Sequence, residues 1–158
     1  MRLSEGAPGK RTVEDGGRMI RNAAVLSATM LATFGLLRIL LYFTPNSDFG
    51  VGQYNIHHLF LGLLLITAAG VPLALFNTKG RRRDMAVGVF GVGLAMALDE
   101  WVYLIATDGS NVSYLLPVSF WGGVVVVGLA LAYVGVLVAM NRGRAAGSRE
   151  RESGNRES

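Results

Sequence analysis

Long apolar runs separated by short polar stretches dominate the chain, at roughly residues 20–43, 56–76, 85–106 and 116–140. About 20 helical residues cross the roughly 30 Å hydrocarbon core of a bilayer, and each run reaches that length. The pattern predicts an all-α fold, a four-transmembrane-helix bundle over residues 19–141, whose connections are too short to hold a soluble domain. The flanks differ in character. Residues 1–18 mix charge with Gly and Ser and read as a flexible leader, while the tail at 142–158 has too little apolar surface to offset the entropy of ordering and reads as disordered. A basic stretch before an apolar one also suits a cleaved signal peptide. Against that, the first run continues past Arg38 to Phe43, and no clear small-x-small cleavage site follows it.

Local chemistry sets the helix ends. The first run stops at Thr44-Pro45, because proline disfavours the α conformation in its predecessor, and Asn46, Ser47, Asp48, Gly50 and Gly52 then supply turn formers. Pro72 is expected to kink the second helix near its end, and Pro117 suits the first turn of the fourth, where a missing amide proton is harmless. Small residues mark the expected contacts, since lipid supplies no hydrophobic drive and tight packing needs close backbones. The stripes are Gly62, Leu65 and Ala69 below His58 on the second helix, Gly88, Gly91 and Ala95 below Asp99 on the third, and Gly128, Ala132, Gly135 and Ala139 on the fourth.

Composition agrees with a membrane protein, with 51% hydrophobic residues, 16% charged and a mean hydropathy of +0.41. Charge distribution then predicts orientation. Of 15 Lys and Arg residues, all but Arg38 lie before or at the start of the first run, between Lys79 and Arg83, or after Asn141. Loops 44–55 and 107–115 contain none. By the positive-inside rule both termini are cytoplasmic and those two loops face outward, in a multi-pass protein of the cell membrane. The net charge of +4 thus calls for no nucleic acid; the basic inner face suits anionic lipid headgroups instead, at about 1 kcal/mol per residue near the surface. Tyr42, Phe43, Phe49, Tyr54, Trp101, Tyr103, Tyr114, Phe120 and Trp121 fall near the outer boundary, as an interfacial aromatic belt would. With no cysteine, thiolate chemistry, disulfides and cysteine-held metal clusters are excluded.

Five polar residues interrupt the apolar runs: Arg38, His57, His58, Asp99 and Glu100. At a rise of 1.5 Å per residue, all five fall in one layer beneath the outer surface. A charge inside a membrane helix costs at least about 2.5–3.5 kcal/mol on insertion scales and so seeks a partner. One reading is a buried network in which Arg38 pairs with one carboxylate and the histidines hydrogen-bond the other, giving a structural module or one that binds a ligand or partner protein, including a second copy of the chain. A second takes His58, Asp99 and Glu100 as ligands for a divalent metal such as zinc, iron or manganese, which could generate a hydroxide for hydrolysis. No familiar metal-binding spacing is present, and adjacent helical histidines diverge. A third reading is proton or ion movement, opposed by the scarcity of polar side chains elsewhere: residues 85–98 have none. Gly88, Gly91 and Gly93 imitate a nucleotide-binding run, but inside a membrane helix such spacing means packing.

At Ile56-His57-His58-Leu59-Phe60-Leu61-Gly62 and Gly91 to Trp101, ending Leu98-Asp99-Glu100-Trp101, the chain resembles a group of small prokaryotic integral-membrane proteins with a paired-histidine helix and a Leu-Asp-Glu-aromatic helix. The resemblance implies that His57, His58, Asp99 and Glu100 belong together and adds no reaction.

Overall fold

A computed structural model describes residues 8–43, 50–51, 54–55 and 58–154. Helix α1 spans Pro8–Phe43, α2 His58–Leu75, α3 Gly80–Ala106, α4 the single turn Asn111–Tyr114, and α5 Pro117–Gly154. Between α1 and α2, strands β1 (Gly50–Val51) and β2 (Tyr54–Asn55) pair antiparallel, with Gly50 opposite Asn55 and Val51 opposite Tyr54. Segments Gly16–Phe43, His58–Leu75, Gly80–Ala106 and Pro117–Arg144 are long and apolar enough to cross a membrane. Helical backbone continues past them: α1 starts within the polar leader, and α5 runs on through most of the polar tail.

The bundle is organised around α3, which packs against α1, α2 and α5. Of its most apolar stretch 44% is buried, against at most 11% in the other three spans. Two kinds of contact hold it. Against α2, Gly62 and Gly93 remove all side-chain bulk: a Cβ at Gly62 would lie 2.7 Å from the Gly93 carbonyl oxygen, and one at Gly93 2.6 Å from that of Gly62. Against α1 and α5 the contact is filled by side chains, with Met30, Ala95 and Val127 at its centre and Leu26, Phe34, Leu94, Leu98, Ala130 and Leu131 around them.

The stripes on α2 and α3 face inward, Gly62, Ala69, Gly91 and Ala95 all being buried. The expected stripe on α5 does not. A Cβ at Gly128 or Gly135 would meet nothing within 4 Å, and Ala139 is exposed. The inward face of α5 is set by Ser119, Gly123 and Val127, a stripe of four-residue steps starting in the first turn. Small residues occur on two faces of this helix, and side-chain volume on α1 and α3 selects the second.

Candidate functional site

Arg38 lies five residues before the end of α1, where its guanidinium reaches α3, α4 and α5 at once. Its Nε donates to Asp99 Oδ1 at 2.9 Å, and Nη2 donates to the same oxygen. Nη2 also donates to the Ser119 carbonyl at 3.0 Å, while Nη1 donates to the Tyr114 carbonyl at 3.2 Å and the Ser119 hydroxyl at 3.4 Å. Arginine carries five N–H donors, and these five contacts saturate them. The Tyr114 carbonyl ends the α4 turn, so Arg38 also caps a helix that is too short to satisfy itself.

Asp99 is matched as fully. Its Oδ1 faces Arg38, and its Oδ2 accepts the Tyr114 hydroxyl. Only 2% of the Asp99 side chain and 11% of the Arg38 side chain remain exposed, so water contributes little to holding either charge. Tyr114 reinforces the pair twice over. Its ring lies under the guanidinium, 4.3 Å from Cζ to centroid, with Phe34 and Phe120 at 5.5 and 5.7 Å, an arrangement favourable to cation–π attraction. Tyr114 itself sits between the third and fourth spans, where burial and then the Asp99 charge push its phenol above the usual tyrosine range; it stays a neutral donor. Room for the pair comes from Gly123, where a Cβ would fall 2.6 Å from Asp99 Oδ1 and 2.9 Å from Arg38 Nη2.

Glu100 points elsewhere. Adjacent helical residues differ by about 100°, so while Asp99 faces α1 and α5, Glu100 turns to α2 and accepts the backbone N–H of Leu59. That amide belongs to the first turn of α2, where N–H groups lack intrahelical partners and the helix dipole favours a negative charge. Glu100 therefore acts as a cap supplied by a neighbouring helix, and it is 3% exposed. His58 begins α2 and is half-buried. His57, like Phe49 of the expected aromatic belt, lies outside the described residues.

Of the five polar residues singled out by sequence, Arg38 and Asp99 meet directly, and Glu100 serves the second seam, at the start of α2 where His58 lies. Among the described residues no group of three His, Cys, Asp or Glu is arranged to hold a metal ion, and the set His58, Asp99 and Glu100 is not one. The physical reason is that Asp99 is engaged by Arg38 and Tyr114 on one side of α3 while Glu100 is engaged by α2 on another. Sequence reasoning missed Tyr114 and Ser119. Tyr114 reads there as part of the aromatic belt, yet it is 8% exposed and packs edge-on to Tyr103, which is 2% exposed, at 5.2 Å. Tyr42, Phe43, Trp101, Phe120 and Trp121 do face outward. A polar Ser119 four residues before Gly123 was the available signal, a small donor-acceptor followed by a gap on the same helix face.

Beside the network lies a cleft of about 380 Å³, lined by Arg38, Ile39, Tyr42, Phe43, Tyr114, Leu115 and Phe120. Its polar floor is the saturated Arg38 with Tyr114, and its walls are apolar. Four helices of membrane-crossing length and composition, joined by an internal polar network, define a polytopic membrane protein. No protein family, curated protein or solved structure matches the chain.

Proposed function

We propose that the protein is a multi-pass cell-membrane module, with both termini in the cytoplasm, whose polar network fixes a cleft that holds a hydrocarbon chain of an outer-leaflet lipid. One observation carries the reading: every N–H of the Arg38 guanidinium is already donated within the protein, and both oxygens of Asp99 accept hydrogen bonds there. A charge pair so fully engaged locks helices together and leaves no group for a substrate. The His57-His58 and Leu98-Asp99-Glu100 segments, similar to those of small prokaryotic membrane proteins, are on this view the parts of that lock.

The occupant follows from the walls. Ile39, Tyr42 and Phe43 are 58%, 72% and 75% exposed, so they face the lipid phase, and the cleft they border takes up what that phase offers. Basic residues at the opposite end of the bundle support the orientation. A phospholipid with a photoreactive acyl chain tests the binding: cross-links are expected on cleft residues such as Phe43 and Leu115 well above those on Leu129, which is also open to lipid, and Leu115→Trp should abolish the excess. Equal labelling throughout would remove the cleft from the function. Because the chain lacks cysteine, Ser47→Cys and Gly147→Cys report orientation directly: an impermeant maleimide should label the first on intact cells and the second only after permeabilisation.

A further inference from the structure

The cleft sits close to one end of the bundle. Its wall on α1 runs from Arg38 to Phe43, the end of that helix, a length of about 8 Å at the helical rise per residue. A hydrocarbon chain that enters here does so next to its glycerol backbone, and its headgroup lies at the level of the segment joining α3 to α5. Asp108 stands in that segment, just past the end of α3 at Ala106. It is exposed, and its Oδ1 accepts the Ser110 N–H at 3.1 Å and the Ser113 hydroxyl. Ser113 directly precedes Tyr114 and Leu115, which line the cleft, so the carboxylate is tied to the residue next to the cleft wall.

Charge in the loops at this end has one sign. Loops 44–55 and 107–115 contain no Lys or Arg, and their charged side chains are Asp48 and Asp108. Asp48 lies outside the described residues. Arg38, at the floor of the cleft, has every N–H committed within the protein. An anionic headgroup therefore meets no side-chain cation in these loops, whereas an ammonium meets a carboxylate. The hydroxyl of Ser113 and then Ser110 hold the Asp108 carboxyl down at about 2, so it is ionised throughout the neutral range.

Resting on the chain-binding reading above, we infer that the lipid held by the cleft carries a primary ammonium headgroup, as in phosphatidylethanolamine, and that Asp108 pairs with it. The ammonium is joined to its phosphate through two carbons, so it can turn to Asp108 while the phosphate stays in water. An exposed ion pair is weak by itself. Here the chain in the cleft keeps the headgroup nearby, which raises the effective concentration of the ammonium at the carboxylate. A choline headgroup has the same positive charge but no N–H to donate, and a glycerol headgroup leaves the lipid anionic.

The full chain in vesicles, cross-linked in parallel by phosphatidylethanolamine, phosphatidylcholine and phosphatidylglycerol with the same photoreactive acyl chain, provides the test. The excess of labelling on Phe43 and Leu115 over Leu129 should be about two- to fivefold greater for the ethanolamine lipid than for the glycerol lipid, the range of an exposed ion pair. Raising the salt should shrink that advantage. Asp108→Asn keeps an Oδ1 that accepts the same hydrogen bonds but removes the charge; it should cut the ethanolamine advantage and leave labelling by the glycerol lipid undiminished. If no lipid shows an excess, the chain-binding reading itself fails, and this inference with it. An excess of equal size for all three lipids keeps the chain site and overturns the headgroup assignment. If the choline lipid matches the ethanolamine lipid, the primary ammonium is overturned in favour of any cationic headgroup. An ethanolamine advantage that survives Asp108→Asn, or a fall for all three lipids alike in that variant, overturns the role of Asp108.

Discussion

Replacing Arg38 by Met should cost far more than the same loss taken together with a change at Asp99. The structure sets the scale. Arg38→Met removes five donated hydrogen bonds and leaves Asp99, 2% exposed at its side chain, with the Tyr114 hydroxyl as the donor still beside it. Removing one member of a buried ion pair typically costs about 3–5 kcal/mol, because the other charge stays buried without compensation, whereas replacing both members is often close to neutral. Asp99→Asn alone should cost a similar amount by stranding the guanidinium among neutral acceptors. In the double variant the new amide oxygen would still accept the Tyr114 hydroxyl, the methionine would fill the volume of the arginine stem, and neither position would leave an unpaired charge. The coupling between the two sites should therefore reach at least about 3 kcal/mol, well above the roughly 0.3–0.5 kcal/mol within which independent sites add. Unfolding free energies from titration of a denaturing detergent into mixed micelles give all four corners of the cycle. Additive losses, or an Arg38→Met cost under about 1 kcal/mol, would show that the pair does not hold the bundle together.

The glycines give an independent contrast in the same assay. Gly62→Ala and Gly93→Ala place a methyl group against backbone atoms that cannot rotate away, and should each cost about 1–3 kcal/mol by forcing α2 and α3 apart; Gly135→Ala, which meets open space, should be neutral or gain up to about 1 kcal/mol from helix propensity. Tyr114→Phe should cost about 1–3 kcal/mol by leaving Asp99 Oδ2 without its donor, and a loss no larger than that of Tyr133→Phe would refute the bond. Asp108, in the exposed loop before α4, has its carboxyl held down at about 2 by the hydroxyl of Ser113 and then by Ser110, below an ordinary 3.8. A depressed carboxyl stabilises the loop above its unfolded value and loses that contribution as pH falls from about 3.8 towards about 2. Carboxyl NMR should show the low midpoint, and Ser113→Ala should raise it towards 3.8.

How far the sequence could be read depended on which physical effect decided each feature. The four membrane-crossing helices follow from run length and hydropathy, properties of single segments, and the runs expected at 56–76 and 85–106 agree with α2 and the body of α3 to within a few residues. The pairing of Arg38 with an acidic residue of the third helix was legible for the same reason: charges inside apolar runs are few, and depth is fixed by helical rise. Facing is different, because it depends on which surfaces fit. The stripe through Gly128 and Gly135 has spacing like that of the buried ones on α2 and α3, and only the volumes of Met30, Phe34 and Leu98 opposite α5 decide that Gly123 and Val127 turn inward instead.

Treating Asp99 and Glu100 as one acidic centre was natural from adjacency, yet adjacency on a helix means separation by about 100°. A metal held by His58, Asp99 and Glu100 together would need both carboxylates to converge. The bundle instead uses the divergence, since a central helix with neighbours on several sides needs one polar anchor per seam. Asp99 ties α3 to α1, α4 and α5 through Arg38 and Tyr114, and Glu100 ties it to the first turn of α2. Both anchors lie at one level, and further along the same seam α2 and α3 touch backbone to backbone at Gly62 and Gly93. The register of α2 on α3 is thereby fixed twice, by polar geometry and by steric fit, and that of α1 and α5 on α3 by the ion pair together with the packing around Met30 and Val127. A cleft that depends on the relative placement of α1, α4 and α5 can keep its shape in a fluid lipid phase only under such a constraint, which is why the saturation of Arg38, rather than its charge, is the property that matters.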